Sequence, residues 1–192
     1  MSSTHYFLGI HIPEVLAARM HLEQNKLKEF LDYKLWTGLN DYHITLKFLG
    51  GVEDEGLSDL IAAFEKASDQ ESFDCLLDGL GFFGKPDAPR VLMQRVKRTT
   101  ELIAVHHAFE KAAESCGFPK ENRSYAPHVT LAKKFVSAEE PVNEIMNHAE
   151  IKLGSFRCTE VVLFRIEPKQ VPRYIPVATF VLKGGGKGGT AH

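Results

Sequence analysis

Cysteine is scarce in this chain. Cys75, Cys116 and Cys158 are the only three in 192 residues, too far apart and odd in number for a disulfide framework. No Cys-x-x-Cys pair offers half of a zinc site, and the apolar neighbours of all three mark them as buried, inert thiols. Long hydrophobic runs are missing too: none approaches the ~20 residues that a bilayer-crossing helix needs. The opening residues Met1-Ser2-Ser3-Thr4-His5 have no basic stretch leading into an apolar core. No secretory signal is read there, and the expected location is the cytoplasm.

Neither sign of charge dominates. Lys and Arg number 23 against 25 Asp and Glu, for a net charge of −2. Coating long nucleic acid through a broad basic face needs many cationic phosphate contacts, which this balance does not supply. A site that grips one phosphate at the end of a strand is still allowed, because a few local cations and neutral hydrogen-bond donors suffice for it.

The pattern along the chain mixes strands and helices without strict alternation, which predicts an α+β fold with antiparallel sheet. Tyr6 to Ile12, Lys34 to Trp36 and His43 to Leu49 read as strands, the last stopped by Gly50-Gly51. Phe73 to Phe83 is an extended segment with a bulge signal at Gly79 and Gly81, and a turn over residues 84–89 leads to a strand from Arg90 to Val96. His128 to Phe135, Phe156 to Ile166 and Tyr174 to Leu182 complete the strands. Helical spacing runs from Pro13 through Leu16, Met20, Leu27, Phe30 and Leu31, and again at Leu57, Leu60, Ile61 and Phe64. A third helix opens at Thr99 or Thr100, buries Leu102, Val105, His106, Phe109 and Ala113, and stops at Gly117. Pro141 to Ala149 is a fourth. Residues 1–183 make one domain of two lobes, and 184–192 a flexible glycine-rich tail.

One element occurs twice. His43-Ile44-Thr45-Leu46-Lys47 returns half a chain later as His128-Val129-Thr130-Leu131-Ala132-Lys133. Two such elements arise by chance in about one chain in a thousand of this composition, so the repetition carries the signal. On a strand, alternate side chains share a face. His43, Thr45 and Lys47 therefore point one way and Ile44, Leu46 and Phe48 the other, as do His128 and Thr130 against Val129 and Leu131. Two lobes packed face to face would line one groove with two imidazoles and two hydroxyls. Imidazole titrates near neutrality, so one ring can take a proton from water while the other gives one to a departing oxygen. Threonine hydroxyls can hold the non-bridging oxygens of a phosphate. No metal and no cofactor are required. The remaining histidines form no ligand spacing, since His106 and His107 face opposite ways on a helix.

The run from His43 to Gly50 and the run from Pro127 to Lys133 resemble the paired HxTx motifs of the 2H phosphoesterase superfamily. The likeness is greatest to its LigT-like branch, the RNA 2′,3′-cyclic phosphodiesterases, and covers most of the chain. It implies two similar lobes, each an antiparallel sheet with helices outside, and an active-site cleft between them on a pseudo-twofold axis. It implies hydrolysis of the 2′,3′-cyclic phosphate end of an RNA, tRNA fragments among them, to a 2′-phosphomonoester by a monomer. Run in reverse, the same chemistry would join RNA ends through a 2′–5′ linkage. On this resemblance His43 is the proton donor, His128 the proton acceptor, and Thr45 and Thr130 the phosphate-holding hydroxyls. The residues alone do not tell the two histidines apart. The second motif often continues to an arginine where this chain has Lys133, which keeps the charge but loses the bidentate fork.

Lys47, Arg123 and Lys133 are candidates to meet the RNA backbone, with Lys47 favoured over Lys133 by strand parity. Tyr42 and Tyr125 are candidates to stack a base, and Phe48 has core parity. Two other readings stand beside the enzyme: a small cyclic-nucleotide phosphodiesterase of the same superfamily, and a non-catalytic binder of RNA ends.

Overall fold

A computed structural model describes residues 4–148 and 154–185. In chain order the elements are β1 (Thr4–His11), α1 (Glu14–Leu27), β2 (Leu31–Trp36), a 3₁₀ turn (Leu39–Asp41), β3 (His43–Val52), α2 (Asp54–Ala67), β4 (Phe73–Lys85), β5 (Ala88–Val96), α3 (Thr100–Ser115), β6 (His128–Ala138), α4 (Val142–His148), β7 (Ser155–Cys158), β8 (Glu160–Ile166) and β9 (Tyr174–Val181).

The strands form one sheet in the order β7-β4-β5-β6-β3-β1-β8-β9, with β2 also on β6. Every named strand pair is antiparallel, so the predicted fold class holds. Two matching halves are joined edge to edge. β3-β1-β8-β9 and β6-β5-β4-β7 follow the same path outward from a motif strand, and β3 meets β6 at Ile44 and Val129. From Ala132 to Ala138 the same flank of β6 is taken by β2. The halves even share an irregularity. Against β1 the register of β3 slips between Leu8 and Gly9, and against β5 that of β6 slips between Leu92 and Met93. Each slip leaves one extra residue after the motif threonine, Leu46 in β3 and Leu131 in β6, which is a β-bulge.

One face of the sheet packs on the helices. α1 turns Leu16, Met20, Gln24 and Leu27 inward at helical spacing, and α3 turns Leu102, Val105, Phe109 and Ala113. Phe64 of α2, Phe109 of α3 and Phe180 of β9 meet with ring centroids 5.7–5.9 Å apart, each burial stabilising by roughly 1.5–3 kcal/mol. Thr99 caps α3, its Oγ1 accepting from the Leu102 amide at 3.3 Å. On the opposite face a small cluster of Phe7, Val162 and Phe164 packs with Ile166 and Tyr174.

Several boundaries differ from the sequence reading. α1 ends at Leu27, and Phe30 is 43% exposed because β2 starts at Leu31. Gly50 does not stop β3. Its positive φ of 73° accompanies a second slip in register, between Tyr6 and Phe7, and the strand continues to Val52. The expected strand over 156–166 is two, because β7 pairs with β4 in one half and β8 with β1 in the other. Gly184 and Gly185 close a turn, the Gly185 amide donating to the Leu182 carbonyl. The rest of the expected tail, 186–192, and Ala149 lie outside the described residues. No helix among the described residues is long and apolar enough to cross a membrane.

Candidate active site

Each motif strand opens on its histidine. Antiparallel pairing about Ile44 and Val129 sets His43 beside Thr130 and Thr45 beside His128. Opposed side chains then stand about 5 Å apart at Cβ, and diagonal ones about 7–8 Å. Ile44 and Val129 are fully buried in the core, so alternation puts the two imidazoles and two hydroxyls together on the other face, all half-buried.

Both rings are held alike. Nδ1 of His43 donates to the Asp41 carbonyl at 2.8 Å, and Nδ1 of His128 donates to the Ala126 carbonyl at 2.8 Å. A carbonyl can only accept, so Nδ1 carries the proton and Nε2 is left for chemistry. Nε2 of His43 lies 3.1 Å from Thr45 Oγ1.

Their surroundings differ. His43 is walled by aromatic rings: Phe7 at 4.6 Å, Tyr174 edge-on at 4.8 Å and Phe164 at 6.3 Å between centroids. Burial there pushes its pKa down to about 4. The hydrogen bond to Asp41 opposes the shift, and the positive charges of Lys133, His128 and His11 add to it. His128 has the edge of Phe83 at 4.9 Å, and its pKa is lowered mainly by burial, with Lys133 contributing.

Two cavities flank the quartet, and the residues are shared crosswise. One of about 560 Å³ takes His128 and Thr45 together with Phe48, Phe83, Arg90, Arg123 and Tyr125. The other, of about 360 Å³, takes His43 and Thr130 with Trp36, Asp41, Lys133, Arg173 and Tyr174.

The bulges overturn the parity reading beyond the threonines. Lys47 is not in the smaller cavity with His43, and although it contributes to the lining of the larger one its charge is taken up by an ion pair. It is 6% exposed, and its ammonium donates to Glu110 Oε1 and to the Pro119 carbonyl, both at 2.6 Å. Phe48, expected in the core, is 62% exposed at the larger cavity. In β6 the same shift buries Ala132 and turns Lys133 into the smaller cavity, close enough for its charge to bear on both histidines. Lys133, not Lys47, is the lysine that shares a cavity with His43.

Tyr42 is corrected as well. It is fully buried, its hydroxyl donating to Gln24 Oε1 at 2.7 Å, and it offers no face to a base. Tyr125 lines the larger cavity, but its ring stacks on His106 at 3.9 Å and its hydroxyl donates to the Thr45 carbonyl at 3.0 Å. Its contacts are those of a strut between the motifs rather than a free stacking platform. Arg123 stands at the rim of the same cavity, almost wholly exposed and 3.3 Å from Glu121.

Sequence reasoning missed Gln24. Its side-chain amide donates to the carbonyls of Thr37 and of the bulged Leu131, at 3.0 and 2.8 Å, while its oxygen receives Tyr42. One buried side chain thus ties the flank of the first motif to the second. Its place on the inward stripe of α1, four residues after Met20, was a usable signal. Tyr174 and Arg173 gave none. Among the described residues, no three His, Cys, Asp or Glu side chains converge as a metal-binding group.

Comparison with known proteins agrees with the motifs. The model of the 2'-5' RNA ligase superfamily matches residues 16–170. The chain is 31% identical to the RNA 2',3'-cyclic phosphodiesterase of Bacillus subtilis (strain 168), over 93% of this chain and 96% of that one. It is 30% identical to the protein of the same name from Geobacillus stearothermophilus, over all of this chain but only 62% of that relative's length. In three dimensions it is similar to a protein of Thermus thermophilus, with a TM-score of 0.77 at 23% identity over 95% of this chain and all of that one. For Escherichia coli LigT in its apo form the TM-score is 0.72 at 21% identity, over 95% of this chain and 99% of that one. Two HxTx strands crossed at one point, in a chain whose matches run nearly end to end, lead to one conclusion: this protein belongs to the 2'-5' RNA ligase superfamily, the LigT-like 2H phosphoesterases.

Proposed function

We propose that this protein, acting as one bilobal domain over residues 1–183, hydrolyses the 2′,3′-cyclic phosphate end of an RNA to a 2′-phosphomonoester. The observation that carries the reading is the crossed quartet, in which each imidazole stands beside the threonine of the other motif with its Nε2 unclaimed by the main chain. A phosphate on the crossing point would lie within reach of both rings.

In the proposed reaction His128 Nε2 takes a proton from water as its oxygen bonds to phosphorus. The bond from phosphorus to O3′ breaks, and His43 Nε2 gives its proton to O3′. Thr45 and Thr130 donate to the non-bridging oxygens, and Lys133 balances their charge. His43 starts as a poor holder of its proton because its aromatic walls desolvate it. An anion about 4 Å away at an effective dielectric near 20 is worth about 4 kcal/mol, or roughly three pKa units. The substrate itself therefore brings the acid into range at neutral pH. Phe48 and Phe83, with Arg90 and Arg123 around them, suit a nucleoside and the strand behind it.

The test is a short RNA ending in 2′,3′-cyclic phosphate, incubated in EDTA. Release of a 2′-phosphate, abolished by His43→Ala and by His128→Ala, is the expected result. Turnover that persists in both variants sinks the mechanism, and an EDTA-sensitive activity sinks its metal independence. A second RNA bearing a 5′-hydroxyl, added to the same mixture, reports on 2′–5′ joining.

A further inference from the structure

From the contacts of its side chain we propose that Asp41 is a positioning residue that closes the aromatic wall around His43. The residue works at both ends. Its main-chain carbonyl receives Nδ1 of His43, and its carboxyl Oδ1 receives the backbone amide of Arg173 at 2.8 Å, across 132 residues of sequence. Arg173 leads directly into Tyr174, the ring that stands edge-on to His43. Asp41 is 7% exposed, and its carboxyl sits over Gly38, where a Cβ would come to 3.3 Å from Oδ2. The site is therefore built around that carboxyl, and the bond it makes joins the turn before β3 to the loop before β9.

What the anchor does follows from what surrounds His43. From β1 come Phe7 and His11, from β6 His128 and Lys133, from β8 Phe164, and from the entry to β9 Arg173 and Tyr174. The strands β1, β6 and β8 are held by their ladders. Tyr174 begins β9 opposite Ile166 of β8, beside a loop that includes the 90%-exposed Val171; the Arg173 carbonyl receives the Glu167 amide at 2.7 Å, and the Asp41 bond holds the same residue from the side of His43. Without the bond, the start of β9 is tied to β8 alone, the Tyr174 ring can shift away from His43, and water can reach the imidazole. The partly hydrated ring then titrates closer to its ordinary value than the about 4 of the closed wall. The anchor thus sets how strongly His43 depends on a bound anion to hold its proton.

This rests on His43 taking part in the reaction, yet it is measured without substrate. The His43 ring is titrated by NMR in the full chain. Asp41→Ala is expected to raise its pKa by one to two units and to lower kcat about tenfold. Asp41→Asn keeps an acceptor oxygen at the same place while removing the charge, so it should leave the pKa within about 0.3 of the parent and rescue kcat. Tyr174→Leu should reproduce Asp41→Ala, and it carries the test if Asp41→Ala does not fold. The proposal is overturned if Tyr174→Leu leaves the titration where it was. It is equally overturned if Asn and Ala at position 41 shift it alike, since that would trace the effect to charge and not to the anchored loop. An inactive parent protein with these shifts intact would instead count against the proposed reaction alone.

Discussion

Replacing Lys47 by methionine separates two accounts of the first motif. If Lys47 met the RNA backbone, as strand parity suggests, the variant would keep its stability and lose affinity in a salt-dependent way. The structure predicts the reverse. Lys47 and Glu110 are 6–7% exposed and 2.6 Å apart, and Glu110 Oε1 also receives the Glu121 amide at 2.9 Å. Taking away the ammonium strands a buried carboxylate and frees the Pro119 carbonyl, a change that typically costs 3–5 kcal/mol. Against a total of about 5–15 kcal/mol that is a large fraction, and it should lower Tm by on the order of 10 °C. Urea denaturation of Lys47→Met, Glu110→Leu and the double variant measures it. The double variant should recover much of the loss, because an apolar pair leaves no charge uncompensated. Because the pair pins the loop leading to His128, kcat should fall in Lys47→Met while the salt dependence of KM stays that of the parent. A single variant that loses less than 1 kcal/mol, or one whose only change is a salt-dependent KM, refutes the reasoning.

Thr45→Val and Thr130→Val should each lower kcat about 10²-fold with KM within threefold, the loss expected when a donor to a charged phosphate oxygen is removed; single-turnover rates check this. Lys133→Met should weaken binding of a cyclic-phosphate substrate and raise the pKa of both histidines by removing a like charge, whereas Lys133→Arg should retain both properties. A substrate in which O3′ is replaced by sulfur needs no proton on its leaving group, so it should restore His43→Ala and not His128→Ala; restoration of the latter would exchange their roles. Because the folded pKa of His43 lies below its unfolded value of about 6.5, the unfolded chain binds more protons between the two. The stability that His43 contributes is therefore complete above about pH 6.5 and is lost as pH falls toward about 4. His128 acts in the same direction, and urea midpoints at pH 7 and pH 4.5, with and without sulfate, should show the loss and its reversal by a bound anion.

How far the sequence could be read depended on the reach of the physics involved. The strands, the helices and the motif quartet were legible because alternation and helical spacing are local, and because a repeated His-x-Thr-Leu leaves few alternatives. Parity failed two residues beyond each threonine. Whether Leu46 and Leu131 bulge is decided by pairing with β1 and β5, and nothing within the motif announces that partner. The same long-range cause misplaced Tyr42, which answers to Gln24 on α1, and hid Tyr174, which reaches His43 only after the chain has built the other half of the sheet and returned to this one. Gln24 is the residue that could have been found, since a polar side chain on an otherwise apolar helical stripe needs a buried partner.

The frame of the site is twofold, but its walls are not, and in the proposed reaction that difference would give the two histidines different work. A fully symmetric cleft would accept a cyclic phosphate in either orientation and offer O3′ to either ring. Here one side of the crossing point presents Phe48, Phe83, Arg90 and Arg123, and the other Trp36, Lys133, Arg173 and Tyr174. A nucleoside that prefers the larger cavity must enter one way round. In the proposed reaction His43, boxed by three rings, is the imidazole whose protonation depends most on the arriving anion. His128 opens on the roomier cavity, where water can approach and carry its proton away. Evening out those walls, for instance by opening the box at Tyr174, should therefore cost the site its sense of direction before it costs the phosphate its grip.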